Sequence, residues 1–124
     1  MEANELRIGN WVRWDYEESS EGNVYPVEYG YELDDIKNNP NIVKPIPLSE
    51  EWLLKFGFNK VSDIWEFWKN SGWDLRQHKL ENKWWLFYNG QDLDCVRIDY
   101  VHQLQNLYFA LTGEELTIKT IDQW

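Results

Sequence analysis

The sequence predicts an α+β fold in which an antiparallel sheet, or a small closed barrel, carries two short helices at about residues 50–56 and 100–112. Three observations predict it. Residues 49–58 carry both a start and a stop signal for a helix, Asn89-Gly90 separates two β-prone runs, and apolar residues recur at helical spacing between Val101 and Leu111. A chain of 124 residues matches a single domain spanning 1–124, long enough to bury roughly two-thirds of its unfolded surface.

In chain order, Gly9-Asn10 makes a turn before a β-prone run that puts Trp11 and Arg13 on one side of a first strand and Val12 and Trp14 on the other. Residues 15–23 read as an exposed acidic loop. A second strand at 24–31 is broken by Pro26 and Gly30 and belongs at an edge. Leu33 to Ile36 can form one helical turn before Asn38-Asn39-Pro40 stops it, and Ile42-Val43-Lys44 reads as a short strand. The helix at 50–56 follows, with Ser49 as N-cap, Glu50 and Glu51 at the positive end of its dipole, Leu48 and Leu53 as a hydrophobic staple, and Gly57 in the left-handed terminating position. Strand-like runs at 64–68, 73–80, 83–88 and 93–100 make an antiparallel meander. Asp99 can then cap the second helix, whose apolar stripe is Val101, Leu104, Leu107, Tyr108 and Leu111, and which Gly113 ends; residues 116–121 can return as a last strand.

Composition narrows the function classes. Hydrophobic residues at 43% and aromatics at 17% exclude a disordered chain despite a net charge of -10. With 22 acids against 12 bases, the field repels phosphate backbones and anionic lipid, so direct nucleic-acid binding is not expected and a charged partner should be basic. The single cysteine, Cys95, allows no disulfide framework, the opening residues lack a secretion signal, and no apolar run approaches a membrane span, so a cytoplasmic protein with no membrane association is expected.

Chemistry-bearing constellations are sparse. His78, His102 and Cys95 are too far apart in sequence for a zinc site, and Asp92, Asp94 and Asp99 lack the glycine and spacing of a calcium loop, so neither metal nor cofactor is expected. Alternation places Cys95 on the face of Leu93 and Arg97, which suits a half-buried strand residue better than a nucleophile. No phosphate-cradling glycine loop or nucleophile elbow occurs. His102, Gln103, Gln105 and Asn106 form the less apolar side of the second helix, read as ordinary surface with local hydrogen bonds or as a polar contact face. Trp65, Trp68, Trp73, Trp84 and Trp85 crowd one stretch; adjacent Trp84 and Trp85 must face opposite sides of a strand, so both are buried only if the sheet is covered twice.

Three blocks, Leu6-Arg7-Ile8-Gly9-Asn10-Trp11-Val12, Pro45-Ile46-Pro47-Leu48-Ser49-Glu50-Glu51-Trp52-Leu53-Leu54-Lys55-Phe56-Gly57-Phe58 and the stretch from Val101 to Leu116, resemble a family of small uncharacterised proteins encoded by phages and mobile elements of Bacteroidetes. The resemblance implies a bacterial cytoplasm and a mobile-element gene, with variable stretches at 13–41 and 59–98, and it implies no catalytic residues. The first block also looks like the opening strand of small SH3-like barrels.

The expected function is therefore a non-enzymatic protein-binding module, with inhibition of a host defence protein as one role open to it. Its expected contact residues are Trp14, Tyr16, Glu17, Glu18 and Glu21, which join aromatic anchors to carboxylates on a hairpin tip and would meet a host or phage protein with a basic surface. Two other classes stay open: a carbohydrate-binding module using exposed tryptophans, and a small hydrolase whose carboxylate pair has no location in the sequence.

Overall fold

A computed structural model describes residues 3–15, 23–60, 66–69, 73–77, 84–88 and 91–118. It is an α+β fold. The contacts sort the chain into two compact units, one of Met1–Pro47 with Tyr100–Glu115 and one of Leu48–Asp99 with Leu116–Trp124. Among the described residues the strands lie in two open antiparallel sheets, so the barrel alternative is not realised, and no helix is long and apolar enough to cross a membrane.

In the first unit a three-stranded sheet has the order β2-β1-β3, with β1 at Trp11–Trp14, β2 at Val24–Pro26 and β3 at Val43–Lys44. Alternation along β1 sends Val12 and Trp14 into a core with Leu6, Val27, Ile36 and Val43. Gly9 enters the strand with a φ of 99°, the left-handed region that a side chain would strain. The expected strand at 24–31 stops at Pro26, and a full helix, α1, runs over Gly30–Asn38 where one turn was expected. Its start is set by Glu32, whose carboxylate accepts from the Glu28 and Tyr29 backbone N–H groups at 2.9 Å each. Helix α3, Val101–Thr112, begins one residue later than expected: Tyr100, not Asp99, is its N-cap, and Gln103 returns to accept from the Tyr100 N–H at 3.1 Å. Gly113 ends it at a φ of 75° with its N–H bonded to Phe109 O. Val101, Leu104 and Tyr108 are buried as the stripe requires; Leu107 is half-buried, and Leu111 is exposed because the stripe runs out at the last turn.

In the second unit α2, Glu50–Lys55, matches its sequence signals. Ser49 Oγ accepts from Trp52 N at 3.4 Å, and at the other end Phe58 N bonds Leu53 O at 2.9 Å and Gly57 N bonds Leu54 O at 3.0 Å, the paired bonds of a Schellman motif. Five antiparallel strands follow in the order β4-β5-β6-β7-β8: Asn59–Lys60, Glu66–Lys69, Trp73–Gln77, Trp84–Tyr88 and Gln91–Ile98. Tyr88 pairs with Gln91, the register that a two-residue connection dictates. Trp84 is buried and donates its indole N–H to Leu48 O at 3.1 Å, while Trp85, on the opposite side of β7, is half-buried. The last strand expected at 116–121 is not formed over residues 116–118, and the remainder lies outside the described residues.

Leu104 is fully buried, whereas Leu111 keeps 41% of its surface exposed. Leu104→Ala is predicted to lower unfolding free energy by about 2–5 kcal/mol, and Leu111→Ala to change it by less than about 0.5 kcal/mol. Denaturant unfolding followed by circular dichroism checks both; equal effects would show the stripe to be misassigned.

Candidate functional site

The side of α3 that reads as surface in the sequence is covered by the chain leading into β1. Gln105 is buried; its Oε1 accepts from the Trp11 backbone N–H at 2.8 Å and its Nε2 donates to Gly9 O at 2.9 Å. Asn106 Oδ1 accepts from Arg7 Nε and from Asn10 Nδ2, both at 2.9 Å, and its Nδ2 donates to Glu5 O at 2.9 Å. The Arg7 guanidinium also bonds Glu115 at 2.6 Å and lies 4.4 Å above the Phe109 ring. These polar groups are consumed within the molecule, which removes Gln105 and Asn106 as a contact face for a partner.

His102 is likewise buried rather than superficial, with a relative exposure of 1%. Among the described residues neither ring nitrogen has a hydrogen-bond partner; Nε2 lies 3.6 Å from Glu5 Oε1, and the ring stacks on Tyr100 with centroids 6.0 Å apart. Burial holds the imidazole pKa below its ordinary value, with the Glu5 carboxylate pulling part of the way back.

The surface that combines aromatic rings with carboxylates lies on β2 and the first turn of α1. Tyr25, Tyr29 and Tyr31 are 58%, 53% and 63% exposed. The capping by Glu32 fixes Tyr29 at the helix start, and Leu33 and Ile36 turn inward to the core. Tyr31, Asp34 and Asp35 consequently face solvent. The Tyr29 and Tyr31 rings stack with centroids 5.4 Å apart and planes 9° from parallel. Glu28, Glu32, Asp34 and Asp35 fall within residues 24–36, and no basic residue does. An electronegative surface studded with large amphipathic rings can seat a cationic side chain and bury apolar stem atoms against it.

This is not the surface the sequence points to first. Trp14, expected as an exposed anchor, is 4% exposed, sits in the core and donates its indole N–H to Tyr25 O at 3.3 Å; the alternation that buries Val12 buries it too. Tyr16, Glu17, Glu18 and Glu21 lie outside the described residues, as does His78. Cys95 falls on β8, but its side chain is outside the described set. Among the described residues no three His, Cys, Asp or Glu side chains gather as a metal site would require. The missed residues Tyr29 and Tyr31 do leave one sequence signal: a glutamate three residues after Tyr29, the returning half of a capping box, marks a helix start and so places both tyrosines on its first turn.

Comparison with protein-family models, with curated proteins and with solved structures gave no match to this chain.

The imidazole of His102 gives stability a pH dependence of definite sign. Its folded pKa lies below the ordinary value of about 6.5. The unfolded chain therefore takes up the proton first as pH falls, so stability is full above about pH 6.5 and declines below it until the lowered folded pKa is passed. His102→Phe, which keeps a buried ring without a titrating group, is expected to flatten this slope between pH 7 and about pH 5 relative to the native chain. Melting temperatures across that range measure it, and parallel curves would assign the slope to other groups.

Proposed function

We propose that this chain is a non-enzymatic binding module that engages a basic protein surface through Tyr25, Tyr29, Tyr31 and the carboxylates around them. The observation that carries the reading is the exposure of three tyrosines within seven residues of one another on a stretch with four acids and no base. Tyrosine rings are rigid, carry both apolar area and a hydroxyl, and are enriched where protein interfaces concentrate their energy. Tyr16, Glu17, Glu18 and Glu21, which lie in sequence between β1 and β2 and outside the described residues, add to the acidic and aromatic character of this part of the chain, and Trp14 does not contribute. The likeness of three blocks to proteins of phages and mobile elements supports a bacterial cytoplasmic setting and a host or phage protein as partner, with inhibition of a host defence protein as the role. Trp14, Trp52 and Trp84 are buried and so are not available to stack on a sugar ring, which supports the protein-binding reading over the carbohydrate-binding one.

Capture on the tagged chain from bacterial cells carrying the gene, compared with a variant combining Glu28→Lys, Asp34→Lys and Tyr31→Ala, tests this reading. Proteins of basic isoelectric point should be retained by the native chain, fall away as salt rises to physiological strength and beyond, and be lost from the variant at unchanged melting temperature. Equal retention by both chains would refute it.

A further inference from the structure

The molecule shows twice how it holds a cation. Arg7 lies 4.4 Å above the Phe109 ring while its guanidinium bonds Glu115 at 2.6 Å. Lys55 lies 4.7 Å above the Trp52 ring while its ammonium pairs with Glu51 at 3.2 Å. In each, one aromatic face and one carboxylate share a single positive group, the ring taking the flat or apolar side and the carboxylate the N–H donors.

The Tyr29–Tyr31 pair presents the same two ingredients in an outward-facing form. Its rings are nearly parallel and more than half exposed, so the stack has an outer ring face open to solvent. Glu28 and Glu32 are tied to the same turn, since the Glu32 carboxylate holds the backbone N–H groups of Glu28 and Tyr29. The surrounding stretch, residues 24–36, carries four acids and no base, a local charge that favours a cation supplied by another molecule.

We propose that the Tyr29–Tyr31 stack, flanked by Glu28 and Glu32, is a receptor for an arginine side chain of a protein partner. The inference rests on the reading of this surface as a protein-binding one and names the group it recognises. Arginine fits better than lysine because the guanidinium is planar and weakly hydrated, so it continues a stack of flat rings while its edge N–H groups still reach a carboxylate; an ammonium is a strongly hydrated point charge.

The test compares a blocked Gly-Arg repeat peptide with a blocked Gly-Lys repeat peptide of equal length and charge, titrated by calorimetry and by NMR at physiological salt into the full chain. The arginine peptide should bind about two- to fivefold tighter and shift the ring resonances of Tyr29 and Tyr31. The preference should vanish in Tyr29→Leu/Tyr31→Leu, and in Tyr31→Ala alone should that double variant unfold. Equal affinities for the two peptides, both falling with salt, would overturn the arginine receptor and leave the acidic binding surface standing. Absence of binding by either peptide would overturn both. An arginine preference that survives in the tyrosine variants would place recognition elsewhere and also refute the assignment.

Discussion

The turn before β1 brings two backbone groups, the Gly9 carbonyl and the Trp11 amide, against α3 where the sheet has no partner for them: the ladder to β3 begins at Arg13. One primary amide offers one acceptor and a pair of donors, and Gln105 satisfies both groups at once. Leaving either unmatched would cost on the order of 1–3 kcal/mol. Helix and strand are therefore held in one register. Because β1 is the central strand of its sheet, β2 and β3 inherit that position from it, and α1 follows from the end of β2. Asn106, one residue further along α3, repeats the device with Arg7, Asn10 and Glu5.

Aromatic residues divide by how their polar atoms are served. Trp14 and Trp84 are buried, and each indole N–H reaches a backbone carbonyl, Tyr25 O and Leu48 O. Such rings contribute area to a core at small polar cost. Tyr25 of β2 and Tyr29 and Tyr31 at the start of α1 are instead more than half exposed, in a stretch rich in carboxylates that gain most from solvation. A small domain with this many rings can thus fill its interiors with indoles and still display phenols.

What the sequence makes legible follows from how local the governing interaction is. Helix α2 is readable because Ser49, Leu53 and Gly57 act within their own turns, and the β7–β8 hairpin because a two-residue connection sets its register. Helix α1 is less so: its N-cap is a tyrosine, and the bond that starts it comes back from Glu32. The burial of His102 and Gln105 is settled by residues 5–11, nearly a hundred positions away, and no local pattern records that. The chemical character of the candidate surface, acidic and aromatic, is legible from composition. Its place is not, because Trp14 alternates with Arg13 into the core while Tyr25 and Tyr31 emerge from elements whose boundaries depend on that same core.

Pro26 closes β2 at the end of its sheet, where Trp11 is opposite it. Val27 N donates inward to Asn10 O, and Val27 O accepts inward from Gly9 N, so by the two-residue period of a strand the backbone of residue 26 points outward. The donor that proline lacks is thus one that would have faced an incoming strand. The open edge beside the tyrosines is short and missing an N–H, which disfavours the strand-to-strand growth that an aromatic-rich border invites. The protein can crowd sticky rings at one margin and stay a poor template for fibrils, leaving side chains rather than backbone to choose what docks there.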